Sequence, residues 1–285
     1  MRRLVCFSLV LFLSLGIVNT WAAPSSSKAR QKGKSSSEEY DVFLLIGQSN
    51  MAGRGYMIDG DEDIIGPDVF LLNDAGEPVP ATNPLNQYSS IRKELSRQQI
   101  CPGLGFAKKM SKKTGRKILL VVNARGGTTI AQWAKGPTGD GFYEEAVRRT
   151  QQAMKYGTLK AILWHQGCGD SKKTDTYMGS LATFVRNLRY DLGVQVPFIA
   201  GELGRWRSHV AAFNEILHSI SEYIPQSDWV SSEGCLPRGT VDSPEPNMRD
   251  AHFCRESQIL LGERYADKVL DMCYRKPSRK ARTSR

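Results

Sequence analysis

Histidine is scarce in this chain of 285 residues: there are four, His165, His209, His218 and His252, so any reaction that needs an imidazole base must use one of them. Cysteine is also sparse, and no two cysteines form a C-x-x-C pair, which removes the usual zinc-ribbon and finger patterns. No repeat of fixed period is visible, which argues against solenoids and propellers. Beyond the first two dozen residues no apolar run approaches the ~20 residues that a bilayer span requires.

The formal charge of +10 invites a nucleic-acid reading, but its distribution argues against one. Of the 39 Lys and Arg, six lie in residues 1–39 and six in residues 274–285, which leaves 27 between them against 27 acids. The basic flanks, PSSSKARQKGKSSSEE and RKPSRKARTSR, have the composition of solvated tails. We therefore expect no nucleic-acid partner, a disordered basic linker over residues 23–39 and a disordered basic tail over residues 274–285.

MRR followed by VCFSLVLFLSLGIV and TWA reads as a secretory signal peptide, residues 1–22, cleaved near Ala22. Its apolar run is short for a membrane anchor, the runner-up reading, so no stable anchor is expected after cleavage and the destination is secreted or periplasmic. Cys6 leaves with it, and the five remaining cysteines cannot all pair with one another. Cys235 and Cys254 lie on either side of a segment that a bridge would close just ahead of and around His252, although spacing does not set connectivity.

Between the tails, apolar runs alternate with helical patterns. DVFLLIG enters a turn of small and polar residues, QSNMAGRG, as a buried strand feeding a sharp strand-to-helix turn at Ser49. Residues 56–105 read as long loops around one short strand, VFLLN. A helix ending at Gly115 then leads to a strand over Lys117–Val122, and a helix over about Phe142–Tyr156 leads to LKAILWHQG. Helices near Thr174–Leu192 and Val210–Tyr223 precede the strands VPFIAGELG and DWVSSEG, and a last helix covers about Glu256–Met272. This alternation predicts an α/β fold: a single domain, residues 40–273, of three layers α/β/α around a mostly parallel sheet. Ligands of such sheets lie beyond the carboxyl ends of the strands, which gathers GQSN, RGGT, HQG and the loop around His252 on one edge.

That edge carries the parts of a nucleophilic ester hydrolase. Ser49, exposed on its turn although the turn is not G-x-S-x-G, is the expected nucleophile. His252, in the polar loop NMRDAHFCRES with Asp250 two residues before it, is the best base; His209 and His218 read as structural, and His165 as a residue that fixes its neighbouring loop. Oxyanion donors are available from the Ser49 main-chain N–H, the Gly126 and Gly127 pair and the side-chain amide of Gln166. Trp133 and Trp206 follow strand ends, where an indole can stack on a sugar, whereas Trp164 has the apolar neighbours of a core residue.

Taken together, GQSNMAGRG, GGTTIAQW, LWHQG with Asp170, and DAHF followed by LGERYA resemble the SGNH hydrolases, in the branch of sialate O-acetylesterases and acetylxylan esterases, over about residues 41–270. The resemblance implies a flavodoxin-like fold and removal of acetyl groups from carbohydrates, without metal or organic cofactor. Carried over by position, it makes Ser49 the nucleophile, His252 the base, and Gly126 and Gln166 oxyanion donors, with Gln48 and Asn50 shaping the turn; Gln48, Asn50, Gly127 and Trp133 are the expected substrate contacts. Two positions depart from the family pattern. The orienting aspartate usually stands three residues before the histidine, where this chain has Arg249, so the role passes to Asp250, to a main-chain carbonyl, or to Asp242 or Glu245. Cys168 stands where the family's HQGE pattern has glutamate. The rival reading is a carbohydrate-binding protein that kept the fold and lost turnover through these two changes. A flavin-binding mononucleotide fold is a third, with little in residues 50–54 to cradle a phosphate. The oligomeric state is not legible.

Overall fold

Tyr40–Gly47 forms the central strand β1, and its side chains alternate between two apolar clusters: Val42, Leu44 and Ile46 enter one, Phe43 and Leu45 the other. A strand buried on both faces must be covered on both, and the sequence supplies helices for each. The computed structural model describes residues 39–239 and 245–275. The expected signal peptide, all but Glu39 of the expected linker, residues 276–285 of the expected tail and Asp242 lie outside these residues.

The sheet has seven strands in the order β3-β2-β4-β1-β5-β6-β7: β2 is Val69–Leu72, β3 Pro78–Pro80, β4 Ile118–Ala124, β5 Gly157–His165, β6 Phe198–Gly201 and β7 Ser227–Val230. All pairings are parallel except β2 with β3. The expected three-layer fold is borne out. Helices α3 (Phe142–Ala153), α4 (Thr174–Leu192) and α5 (Ala211–His218) contribute to the cluster around Val42. Helices α2 (Gly103–Thr114) and α7 (Arg255–Val269) contribute to the cluster around Phe43. Three details differ from the expected pattern, the first being the short edge strand β3, which lies in a segment expected as loop. The helix expected over Val210–Tyr223 breaks at Ser219 into α5 and a single turn, α6 (Ile220–Tyr223), and Gly157 opens β5 instead of capping the preceding helix. Among the described residues no helix is long and apolar enough to cross a membrane.

The chain reverses its direction of winding at β1, which has β4 on one side and β5 on the other. Such a switch point opens a crevice beyond the strand ends. Register makes this concrete: Gly47 is level with Ala124 of β4 and with His165 of β5. The residues that follow these three, Gln48–Ser49, Arg125–Gly126 and Gln166–Gly167, therefore leave the sheet side by side.

Candidate active site

The turn after β1 requires a glycine. Gly47 has φ 136°, and a Cβ there would lie 2.3 Å from the carbonyl oxygen of His165 on the neighbouring strand. Freed of that clash, the chain folds into one helical turn, α1 (Ser49–Ala52), with Ser49 first and only 8% exposed. A first-turn N–H has no partner within its own helix. Gly126 reaches the same point from β4, where a Cβ would stand 3.4 Å from Ser49 Cβ and 2.7 Å from Arg54 Nη2. Among the described residues, no protein acceptor is found for the N–H of Ser49 or Gly126.

His252 is brought to Ser49 by the loop before α7, and its Nε2 lies 3.0 Å from Ser49 Oγ. On the other side of the ring, Nδ1 lies 2.6 Å from Asp250 Oδ1. That oxygen also accepts the main-chain N–H of His252 at 3.0 Å, because the two residues are only two apart. Drawn toward the backbone, it leaves the Nδ1 contact close but without the geometry of a linear hydrogen bond. Oδ2 of Asp250 accepts from Arg238 Nε at 2.6 Å. Burial disfavours the Asp250 charge, but the contacts from His252 and Arg238 outweigh it and hold the carboxyl well below the usual carboxylate range.

Asn50, next to the nucleophile, faces the protein and not the solvent. Its Nδ2 donates to Ala251 O at 3.2 Å, and its Oδ1 accepts from Phe253 N at 3.2 Å and from Gln258 Nε2 at 3.0 Å. The side chain thus grips the main chain on both sides of His252, tying the nucleophile's turn to the base's loop. Gln48 sits at the cavity wall, its Oε1 3.4 Å from the N–H of Gly167, and Gly127 lines the same cavity with φ 82°.

The structure leaves three of the expected contacts outside the cavity: Asn50, turned into the protein as described above, Gln166 and Trp133. The Gln166 amide donates both its hydrogens inside the protein, to Thr128 O at 2.9 Å and to Asp170 Oδ2 at 2.6 Å, which leaves none for an oxyanion. Asp170 also accepts the N–H of Ile130 at 2.8 Å, so the pair shapes the loop that carries Gly126. Trp133 is fully buried against Phe142, Trp164 and Phe184, with its indole N–H on Thr128 Oγ1 at 3.1 Å; it is a core residue with no face for a sugar. Trp164 is core as expected, and Trp206 is half-buried, donating to Asp250 O at 2.8 Å. His165 is buried with its Nδ1 3.2 Å from the Tyr265 hydroxyl, and burial pulls its pKa down to about 4. The Cys235 and Cys254 thiols are unbridged.

A cavity of about 270 Å³ opens over Ser49 and His252, lined also by Gln48, Gly126, Gly127 and Cys168. Burial raises the pKa of the Cys168 thiol against the opposing influence of Arg207. Three further residues of this wall, Arg54, Lys93 and Arg97, were not among the expected site residues. Arg54 had a signal, since it belongs to GQSNMAGRG; Arg238, behind Asp250, had none.

A serine and an imidazole in hydrogen-bond contact, a carboxylate behind the ring and two unpaired main-chain N–H groups are the parts that acyl transfer needs. Residues 39–271 match the family described as carbohydrate esterase, sialic acid-specific acetylesterase. The chain belongs to that family. This carbohydrate esterase is 30% identical over 239 residues to a "probable carbohydrate esterase" of Arabidopsis thaliana, covering 78% of this chain and 86% of the relative. The solved structure of that Arabidopsis protein superposes with a TM-score of 0.69 at 25% identity, covering 82% of this chain and 98% of the other. A carbohydrate acetylesterase of Xanthomonas citri shares the fold, with a TM-score of 0.55 at 18% identity; 82% of the carbohydrate esterase described here aligns with 57% of that chain.

Proposed function

We propose that this carbohydrate esterase is an exported serine O-acetylesterase that removes acetyl groups from glycans through an acetyl-enzyme. The contact that carries the reading is Ser49 Oγ to His252 Nε2 at 3.0 Å, with Asp250 at 2.6 Å behind the ring. Ser49 Oγ attacks the acetyl carbonyl while Nε2 takes its proton. The carbonyl oxygen, now negative, is held by the N–H groups of Ser49 and Gly126, each such donor being worth about 3 kcal/mol in the transition state. Collapse breaks the ester bond; His252 returns the proton to the departing sugar oxygen, and the acetyl group stays on Ser49. Water then attacks the acetyl-enzyme with His252 again as base, releasing acetate. Asp250 holds the ring in the tautomer with its proton on Nδ1 and balances the imidazolium that forms at each proton transfer. Export rests on the pattern of residues 1–22.

Ser49→Ala is expected to abolish hydrolysis of 4-nitrophenyl acetate and covalent labelling by a fluorophosphonate, with the circular dichroism spectrum unchanged. Turnover retained in this variant overturns the assignment. A wild-type protein that binds acetylated glycans yet resists labelling supports the binding-protein alternative.

A further inference from the structure

With the Gln166 amide turned inward, the tetrahedral intermediate is left with main-chain donors alone unless another side chain reaches it. Arg54 is placed to do so. It is 7% exposed and lines the cavity over Ser49 and His252. Its Nη1 is committed to the protein, donating to the carbonyls of Gly53 and Arg97 at 2.5 and 2.7 Å, and these two bonds hold the guanidinium in place. Nη2 is not committed. Among the described residues no acceptor is found for it, it keeps surface open to solvent, and no carboxylate lies within ion-pair distance of the side chain.

Nη2 is aimed at Gly126, where a Cβ would lie 2.7 Å from it and 3.4 Å from Ser49 Cβ. The backbone of Gly126 is not in the left-handed region, so the close contact that a methyl group would meet there is the guanidinium itself. The bare Cα therefore keeps a gap with the nucleophile on one side and a charged N–H on the other. Burial, together with the charges of Arg238 and Arg97, pulls the pKa of Arg54 down to about 10, which leaves it charged at neutral pH. A buried cation without a counter-ion is costly in the resting protein, and that cost is offset when an anion forms next to it.

We propose that Arg54 is a third oxyanion donor: its Nη2 takes the part that the sequence suggests for Gln166 and bonds to the oxygen that becomes negative when Ser49 attacks the acetyl carbonyl. The inference rests on the esterase reading and adds a catalytic residue to it. As the Oγ–C bond forms, the π pair of the carbonyl moves onto its oxygen and the Ser49 proton moves to His252. Arg54 gives up no proton; it holds the new charge and releases it when the carbonyl reforms. The same donor serves again when water attacks the acetyl-enzyme.

Steady-state kinetics on 4-nitrophenyl acetate are measured for the wild type, Arg54→Gln, Gly126→Ala and the double variant, with circular dichroism and the thermal midpoint reporting the fold of each. The glutamine keeps an N–H for one of the two carbonyls but carries no charge. Gly126→Ala leaves both main-chain donors in place and pushes Nη2, the far end of a flexible side chain, away from the gap. Arg54→Gln is expected to lower kcat about 10²–10³-fold, the loss typical of one oxyanion donor, with KM within about threefold of the wild type. Gly126→Ala should lower kcat about tenfold, and in the double variant the two losses should not add, because both remove one contact. Full kcat in a folded Arg54→Gln, a loss carried by KM alone, or additive losses in the double variant overturns the assignment. If Arg54→Gln does not fold, Gly126→Ala decides alone: a loss confined to kcat supports the donor, and an unchanged kcat overturns it. A wild-type chain that does not hydrolyse 4-nitrophenyl acetate overturns the esterase reading, and the donor with it.

Discussion

At the scale of single residues, Asp250 is the informative one. Two residues before His252 it is close enough to reach Nδ1, but the same oxygen serves the main-chain N–H of His252, and Arg238 anchors the other oxygen. Arg238 thus does part of the orienting that the spacing alone would not secure. Asp250→Asn is expected to lower kcat by about 10³–10⁴-fold with little change in KM, the scale seen when the orienting acid of a serine triad is neutralised. Steady-state kinetics on 4-nitrophenyl acetate measures this. A loss below tenfold would show that a different group orients the ring.

At the scale of elements, the nucleophile and the base sit on separate pieces of chain joined by one side chain. Asn50→Ala removes three hydrogen bonds, two of them buried, and strands an N–H and a carbonyl on either side of His252. It is expected to cost about 2–4 kcal/mol in urea unfolding. Amide exchange should quicken over residues 250–258, and kcat should fall more than KM rises. Unchanged exchange in that loop would refute the coupling. The elements themselves were largely legible: β1, β4 and α4 have strong periods bounded by glycine or polar residues, and they fall within a residue or two of expectation. The strand β3 was not legible, because Pro78 and Pro80 bias the segment Pro78–Val79–Pro80 against a ladder, and only an edge place tolerates it. His252 with Asp250 was readable as an imidazole and an acid in a polar loop ahead of the last helix, and Ser49 and Gly126 as polar or glycine residues at the ends of apolar runs. Gln166 shared that signal, but sequence position does not say which way a side chain turns just past a strand, and here Asp170 and Thr128 claim it. Trp133 failed for the same reason: the turn that follows β4 folds it back under the sheet edge into the aromatic cluster. Arg238 and Lys93 come from loops without a motif, so only the folded chain brings them in.

At the scale of the whole molecule, the buried His165 sets an acid limit. Its pKa falls from 6.5 to about 4 on folding, so between those values the unfolded chain binds more protons than the folded one, and stability drops as pH is lowered through that window. The expected loss is on the order of 3 kcal/mol at about 1.4 kcal/mol per unit of pKa shift. Asp250 acts below it: its carboxyl is depressed on folding, so its contribution is present above about pH 4 and is lost as pH falls further. Thermal midpoints from pH 7 to pH 4 should decline in the wild type and decline less in His165→Gln. An equal slope in both would assign the acid sensitivity to another group. The two prolines of β3 also bear on how copies of this chain behave in concentrated solution. Proline has no N–H to offer, so the outer rim of β3 lacks two of the donors a neighbouring copy would need to extend the sheet. That flank is thereby closed to edge-to-edge growth, and folded copies crowded together have no free row of donors there on which to add a strand.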